Sequence, residues 1–133
     1  IINLMKDLRV RLNLTYLFIS HDLRVVRYLS DDVAVMYLGR LVEIAPTEEL
    51  FQQPVHPYTQ ALMSAVPKPK WEQGSGERIR LEGEVPSPIN PPSGCYFAPR
   101  CRLAKERCHQ ETPELLEIGP GHKVACHRET LGL

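Results

Sequence analysis

The sequence predicts an α/β fold followed by a small Pro-rich, cysteine-containing accessory segment. Three observations carry this. A helix-spaced apolar pattern runs into a short, unbroken β-rich stretch and then into a second helical pattern, the element order of α/β folds. A further apolar run passes through a glycine into another, which reads as a hairpin. The last third then changes character: the prolines lie from Pro46 onward and all four cysteines fall between Cys95 and Cys126.

Ile1, Met5, Leu8 and Leu12 recur at helical spacing, with Lys6, Asp7, Arg9 and Arg11 on other faces, and Asn13 suits a left-handed cap. Residues 15–20 are β-rich with little alternation, as in a strand buried on both faces of a helix-covered parallel sheet. Asp22 is placed to cap a helix carrying Leu23, Val26 and Leu29. Val33-Ala34-Val35-Met36-Tyr37-Leu38 leads into Gly39-Arg40, where glycine in the first loop position suits a type II′ hairpin turn. Thr47 is expected to cap a short helix through Phe51, with Glu48 and Glu49 in its first turn. Pro57 fits the start of a helix running to Val66, and Pro67 and Pro69 should stop it. Residues 71–77 read as a linker and residues 78–85 as a strand. Residues 86–94 hold four prolines and are expected to be irregular. A short helix over residues 103–108, another after Thr112-Pro113, and a strand over residues 122–126 complete the expectation.

The chain has 133 residues, enough for one compact domain or two small ones, with sixteen basic and sixteen acidic residues. Zero net charge gives no electrostatic argument for nucleic acid or an anionic membrane. The longest apolar run, Val33 to Leu38, is far shorter than the roughly 20 residues that span a bilayer, so no direct membrane insertion is expected. No signal-peptide pattern is present. Ile1 stands first, inside an expected helix, so the chain reads as a fragment.

Ser20-His21-Asp22 is the first chemical signal. It follows an expected buried strand and opens a helix, the place where α/β sheets bind ligands and where backbone N–H groups favour anions. A neutral His21 there has one N–H for a phosphate oxygen. By spacing alone, His21 better suits a plain turn residue at the strand end. Thr15-Tyr16-Leu17-Phe18-Ile19-Ser20-His21-Asp22-Leu23 resembles the switch-histidine segment of ABC transporter ATPases. That resemblance implies residues 1–45 are the C-terminal remnant of a P-loop ABC ATPase core. It also implies that His21 is the switch histidine, contacting the ATP γ-phosphate and helping place the attacking water. The 133 residues contain no G-x-x-x-x-G-K-[ST] loop, no Leu-Ser-Gly-Gly-Gln signature and no Walker B carboxylates. The chain alone is therefore expected to be catalytically inactive, with ATP and Mg held by residues upstream.

His56-Pro57-Tyr58-Thr59-Gln60-Ala61-Leu62 resembles the extension of ATP-binding subunits from oligopeptide and dipeptide importers, which are related to nickel importers. Tyr37-Leu38-Gly39-Arg40-Leu41-Val42-Glu43 is similar to the same group. Pro86-Ser87-Pro88-Ile89-Asn90-Pro91-Pro92-Ser93-Gly94-Cys95 resembles the second of the paired subunits. The resemblance implies an ATPase energising peptide import, pairing with a sister ATP-binding subunit and docking on two membrane-spanning permease subunits. Its place would be peripheral, at the cytoplasmic face of the inner (plasma) membrane. Residues 46–77 would then be a helical extension and linker, and residues 78–133 a cysteine-containing C-terminal domain. A nickel-importer subunit and a stand-alone metal-binding interaction module are the alternatives. Read physically, His56-Pro57-Tyr58 is a packed helix start rather than a catalytic motif.

Cys95, Cys101, Cys108 and Cys126 match neither the zinc-ribbon nor the ferredoxin spacings. Spacing leaves disulfides, buried free thiols and a metal site open, and a cytosolic setting disfavours disulfides. Gly94-Cys95-Tyr96-Phe97-Ala98-Pro99-Arg100-Cys101, then Cys108, then Gly121-His122-Lys123-Val124-Ala125-Cys126-His127, resembles this group's terminal cysteine motif. The resemblance implies a [4Fe-4S] cluster on the four cysteines, with Arg100 offsetting charge. Zinc is the alternative, with His109, His122 and His127 as second-choice ligands.

Overall fold

The structure, a computed structural model, describes residues 1–66 and 78–128. The expected linker at residues 71–77 and the stop at Pro67 and Pro69 lie outside them. The described residues form five short α-helices and a four-stranded antiparallel sheet of order β1-β2-β4-β3. The fold is thus α/β in content, but its sheet is antiparallel rather than parallel.

Helix α1 (Ile2–Leu12) ends as the sequence indicates, with Asn13 left-handed at φ 50°. None of its residues is buried. Residues 15–20 correct the expectation: they form no strand, and Leu17 and Ile19 are 93% and 89% exposed. A strand needs a neighbour to take its backbone groups, and no described strand pairs with this stretch. Helix α2 (Leu23–Leu29) follows, capped by Asp22 as expected; Asp22 Oδ1 accepts Arg24 N–H at 3.0 Å and Val25 N–H at 3.4 Å.

Strand β1 (Asp32–Tyr37) alternates, burying Val33, Val35 and Tyr37, the pattern of a sheet with one packed face. It pairs with β2 (Arg40–Pro46) through the two-residue loop Leu38-Gly39. Both loop residues have positive φ, 46° and 78°, the pattern of a type I′ turn. The turn therefore sits one residue earlier than expected and is of the other primed type. The register slips between Val35 and Met36, because Val42 is an extra residue on β2. This bulge turns both Val42 and Glu43 inward.

Helix α3 (Thr47–Gln52) has Pro46 at its N-cap and no side-chain cap bond. Thr47 instead donates its hydroxyl to the Ser30 carbonyl at 2.8 Å. Helix α4 (Pro57–Ser64) starts with Pro57 in its first turn, as expected. Residues 78–85 form no strand. A one-turn 3-10 helix (Ala98–Arg100) precedes α5 (Glu106–Gln110), which starts later than expected. The stretch after Pro113 forms strand β3 (Leu116–Gly119) rather than a helix, and β4 is His122–Val124. Strand β4 pairs with β2 at Glu43 and Ile44, and Ala125 N–H donates to the Val42 carbonyl at the bulge at 2.9 Å.

The core gathers Val26, Val33, Val35, Tyr37, Val42, Ala45, Leu50, Met63 and Phe97. Phe97, 2% exposed, comes from the cysteine segment. Its ring stands edge-on to Tyr37 at 5.3 Å and tilted to Tyr58 at 5.4 Å. Hairpin, α4 and cysteine segment therefore share one aromatic interior.

Candidate functional site

The residues that the sequence singles out for chemistry lie in two separate places. At the first, Ser20 Oγ accepts the Asp22 N–H at 3.0 Å, and Asp22 in turn caps α2. His21 sits exposed on this turn. Its neighbours on both sides are held by hydrogen bonds, so the backbone that carries the imidazole is fixed.

At the second, Cys95, Cys101, Cys108 and Cys126 line one largely enclosed cavity, bordered also by His56, Phe97, His127 and Arg128. All four are free and half-buried. Three segments bring them together. Cys95 N–H donates to the Cys108 carbonyl at 2.8 Å, joining the first segment to α5. Gly94 permits this approach: at φ 72° it takes a left-handed turn, and a Cβ there would lie 2.5 Å from the Cys108 carbonyl oxygen. Residues 97–104 wind back in a chain of short backbone bonds, which places Cys101 beside them. The third segment follows β4, and His127 Nε2 is bonded to the Glu111 carbonyl at 2.9 Å, fixing the end that carries Cys126.

Burial pushes the thiols of Cys95, Cys101 and Cys126 above their usual range. Backbone N–H groups act the other way: Phe97 and Ala98 on Cys95, Leu103 on Cys101, Arg128 on Cys126. Lys105 N–H reaches Cys108 Sγ at 3.5 Å. Every sulfur around the cavity thus has at least one N–H directed to it, but for Cys95, Cys101 and Cys126 burial outweighs these bonds and favours the neutral thiol. Among the described residues, no three His, Cys, Asp or Glu side chains converge closely enough to hold a single metal ion.

The second-choice histidines divide. His127 borders the cavity. His109 is exposed on α5 and does not border it. Both nitrogens of His122 are engaged elsewhere, with Glu43 and Glu49. Arg100 turns away to the Glu82 carbonyl at 3.3 Å, and Arg128 is the cation at the cavity. Sequence reading missed His56 as a cavity wall and as the cap of α4; its Nδ1 accepts Tyr58 N–H at 3.1 Å. It is 1% exposed, and burial lowers its pKa to about 4, so the ring is neutral. A histidine just before a helix-starting proline was the available signal.

Residues 42–108, from the bulge on β2 to the third cysteine on α5, match the family described as the oligopeptide/dipeptide transporter C-terminal region. The chain belongs to this family. It is 56% identical over 129 residues to an oligopeptide transport ATP-binding protein of Bacillus subtilis (strain 168), covering 96% of this chain and 39% of the relative. A protein named for peptide import ATP binding in Brucella ovis is 52% identical over 131 residues, covering 98% of this chain and 41% of its own. One named as a peptide ABC transporter ATP-binding protein in Sinorhizobium fredii is 54% identical over 127 residues, with 96% and 36% covered. The chain spans about two fifths of the length of these relatives.

Proposed function

We propose that this chain is part of the ATP-binding subunit of an ABC importer that takes up peptides. The observation that carries this reading is identity above half to proteins named for oligopeptide or peptide ATP binding, over nearly the whole chain. In the complete subunit, residues 1–45 close the P-loop ATPase core and residues 15–20 add to its sheet as a strand, which would cover Leu17 and Ile19. His21, at the head of α2, contacts the ATP γ-phosphate and helps place the attacking water. ATP and Mg are held mainly by residues outside this chain. The subunit pairs with a sister ATP-binding subunit and works from the cytoplasmic face of the inner membrane against two permease subunits. No helix among the described residues is long and apolar enough to cross a membrane.

The test is hydrolysis by the full-length protein assembled with its permease subunits, with and without peptide. His21→Ala should cut turnover by about 10²–10³-fold, the loss typical of one transition-state donor, while nucleotide binding is mostly kept. Near-normal turnover would demote His21 to a turn residue. Stimulation by nickel rather than peptide would favour the nickel-importer reading.

The cysteine cavity is a cofactor site in this reading. Cys95, Cys101, Cys108 and Cys126 hold one cluster, [4Fe-4S], in a C-terminal unit over residues 78–133. Support comes from four sulfurs around one cavity, each with an N–H directed to it. Among the described residues no three of these side chains gather closely enough to hold a single ion, and zinc is the alternative occupant. The cluster's role is structural: thiolates meet only in the folded chain, so binding energy becomes folding energy.

A further inference from the structure

Helix α2 is held along its whole length. Val26 lies in the core. At the tail, the Thr47 hydroxyl donates to the Ser30 carbonyl and the Thr47 N–H to the Asp31 carbonyl, each at 2.8 Å. Arg27 pairs with Glu48 of α3 at 2.9 Å, and Arg9 of α1 donates to the Leu29 carbonyl at 3.4 Å. At the head, Asp22 Oδ1 accepts two N–H groups of the first turn. The helix is therefore a fixed body, and the chain before it joins it through Ser20-His21-Asp22.

Ser20 Oγ accepts the Asp22 N–H at 3.0 Å, so this bond closes across His21, from the side of residues 15–20 to the side of α2. The helix does not require it. Asp22 caps through Oδ1, and its own N–H precedes Leu23, the first helical residue. Water can take that N–H, because Ser20 and His21 are exposed and Asp22 is only half-buried. What the bond does is narrow the backbone freedom of His21, as hydroxyl-closed turns do. An exposed imidazole has no packing to choose its direction, so the backbone sets where the ring starts and which rotamers it reaches.

We infer that Ser20 is a positioning residue for ATP hydrolysis: its hydroxyl locks the turn that aims His21 at the γ-phosphate. This rests on the reading of His21 given above. A donor that acts in the transition state loses its effect steeply when misplaced. Ser20 touches no reacting atom in this role, so its loss lowers turnover while nucleotide binding is kept.

The experiment measures kcat and KM for ATP in the full-length protein assembled with its permease subunits. The proteins compared are the wild type, Ser20→Ala, Ser20→Thr, His21→Ala and the Ser20→Ala/His21→Ala double variant. Ala removes the acceptor, and Thr keeps a hydroxyl at the same place. Ser20→Ala should lower kcat by about 10–10²-fold, the loss that a misplacement of up to about 1 Å brings, with KM near the wild type. Ser20→Thr should recover most of that loss. The double variant should match His21→Ala, because two changes that act through one group do not add. Hydrogen exchange of α2 in Ser20→Ala should stay as in the wild type, which separates aiming from folding. Normal kcat in Ser20→Ala beside a deficient His21→Ala would overturn the inference alone. So would a further loss in the double variant, no recovery with Thr, or a fall that accompanies lost α2 protection. Near-normal turnover in His21→Ala would overturn the reading of His21 and this inference with it.

Discussion

Glu43 and His122, seventy-nine residues apart, meet in the interior with Glu43 Oε1 2.8 Å from His122 Nε2. Both are nearly inaccessible to solvent. Glu43 is turned inward by the bulge on β2, and its other contacts are the Val55 and His56 backbone N–H groups, each at 2.9 Å. His122 also meets Glu49 of α3 at 2.8 Å through Nδ1. One carboxylate thus ties the hairpin to the entry of α4 and to the terminal strand.

This clasp should make stability depend on pH in a defined direction. Burial alone favours a neutral His122, but its hydrogen bonds to Glu43 and Glu49 outweigh that and raise its pKa above the usual value. A raised folded-state pKa contributes stability that is full below about 6.5 and is lost as pH rises through the folded value. The neutral ring has one N–H for two carboxylates, so one contact turns unfavourable. Hydrogen exchange at residues 122–125, corrected for intrinsic rate, should show lower protection at about pH 9 than at about pH 6. His122→Gln should flatten that dependence. Equal slopes in both proteins would show that the clasp does not titrate.

Removing one partner should cost more than removing charge. Glu43→Ala leaves two backbone N–H groups and His122 Nε2 without their acceptor, though His122 Nδ1 keeps Glu49, and should destabilise by about 3–5 kcal/mol, as for broken buried pairs. Glu43→Gln keeps an acceptor oxygen and should cost less. Urea midpoints of the two variants decide; the same small loss in both would mean that the interior relaxes around the gap.

Phe97 tests whether the cysteine segment and the hairpin share one core. Phe97→Ala should cost about 3–5 kcal/mol. It should also loosen the Tyr37 and Tyr58 environment, readable in near-ultraviolet circular dichroism. An unchanged aromatic signal would separate the two regions.

Gly94→Ala should disrupt the cysteine cavity without touching a sulfur. The new Cβ would press on backbone at Cys108 and His109, and its left-handed φ adds strain. Reduced protection of residues 95–108 is the expected readout, alongside loss of iron and sulfide in the full-length protein. Normal protection would mean that the loop shifts freely.

These predictions turn on features that the sequence revealed unevenly. Asn13, Asp22 and Pro57 announced their helix ends because capping is local chemistry. The hairpin at Gly39 was legible too, though its type depended on Leu38 accepting a positive φ, which no propensity suggests. Residues 15–20 read as buried from composition, but burial depends on neighbours that the described residues do not supply. Strand β3 was missed because a four-residue strand has too few positions for alternation to show. The cysteines were visible as a set, whereas His56 was not seen as a wall of their cavity, because that contact comes from α4 and not from spacing. The Glu43–His122 pair was hidden for the same reason: a bulge and a distant strand make it.

Elemental analysis of full-length protein purified anaerobically is the sharpest test of what the cysteine cavity holds. About four iron and four sulfide per chain are expected, with visible absorption that is lost when any one of Cys95, Cys101, Cys108 or Cys126 is changed to Ser. One equivalent of zinc without iron or sulfide would reject the cluster and keep the site. Neither metal, with unchanged stability in all four Cys→Ser variants, would contradict the site itself.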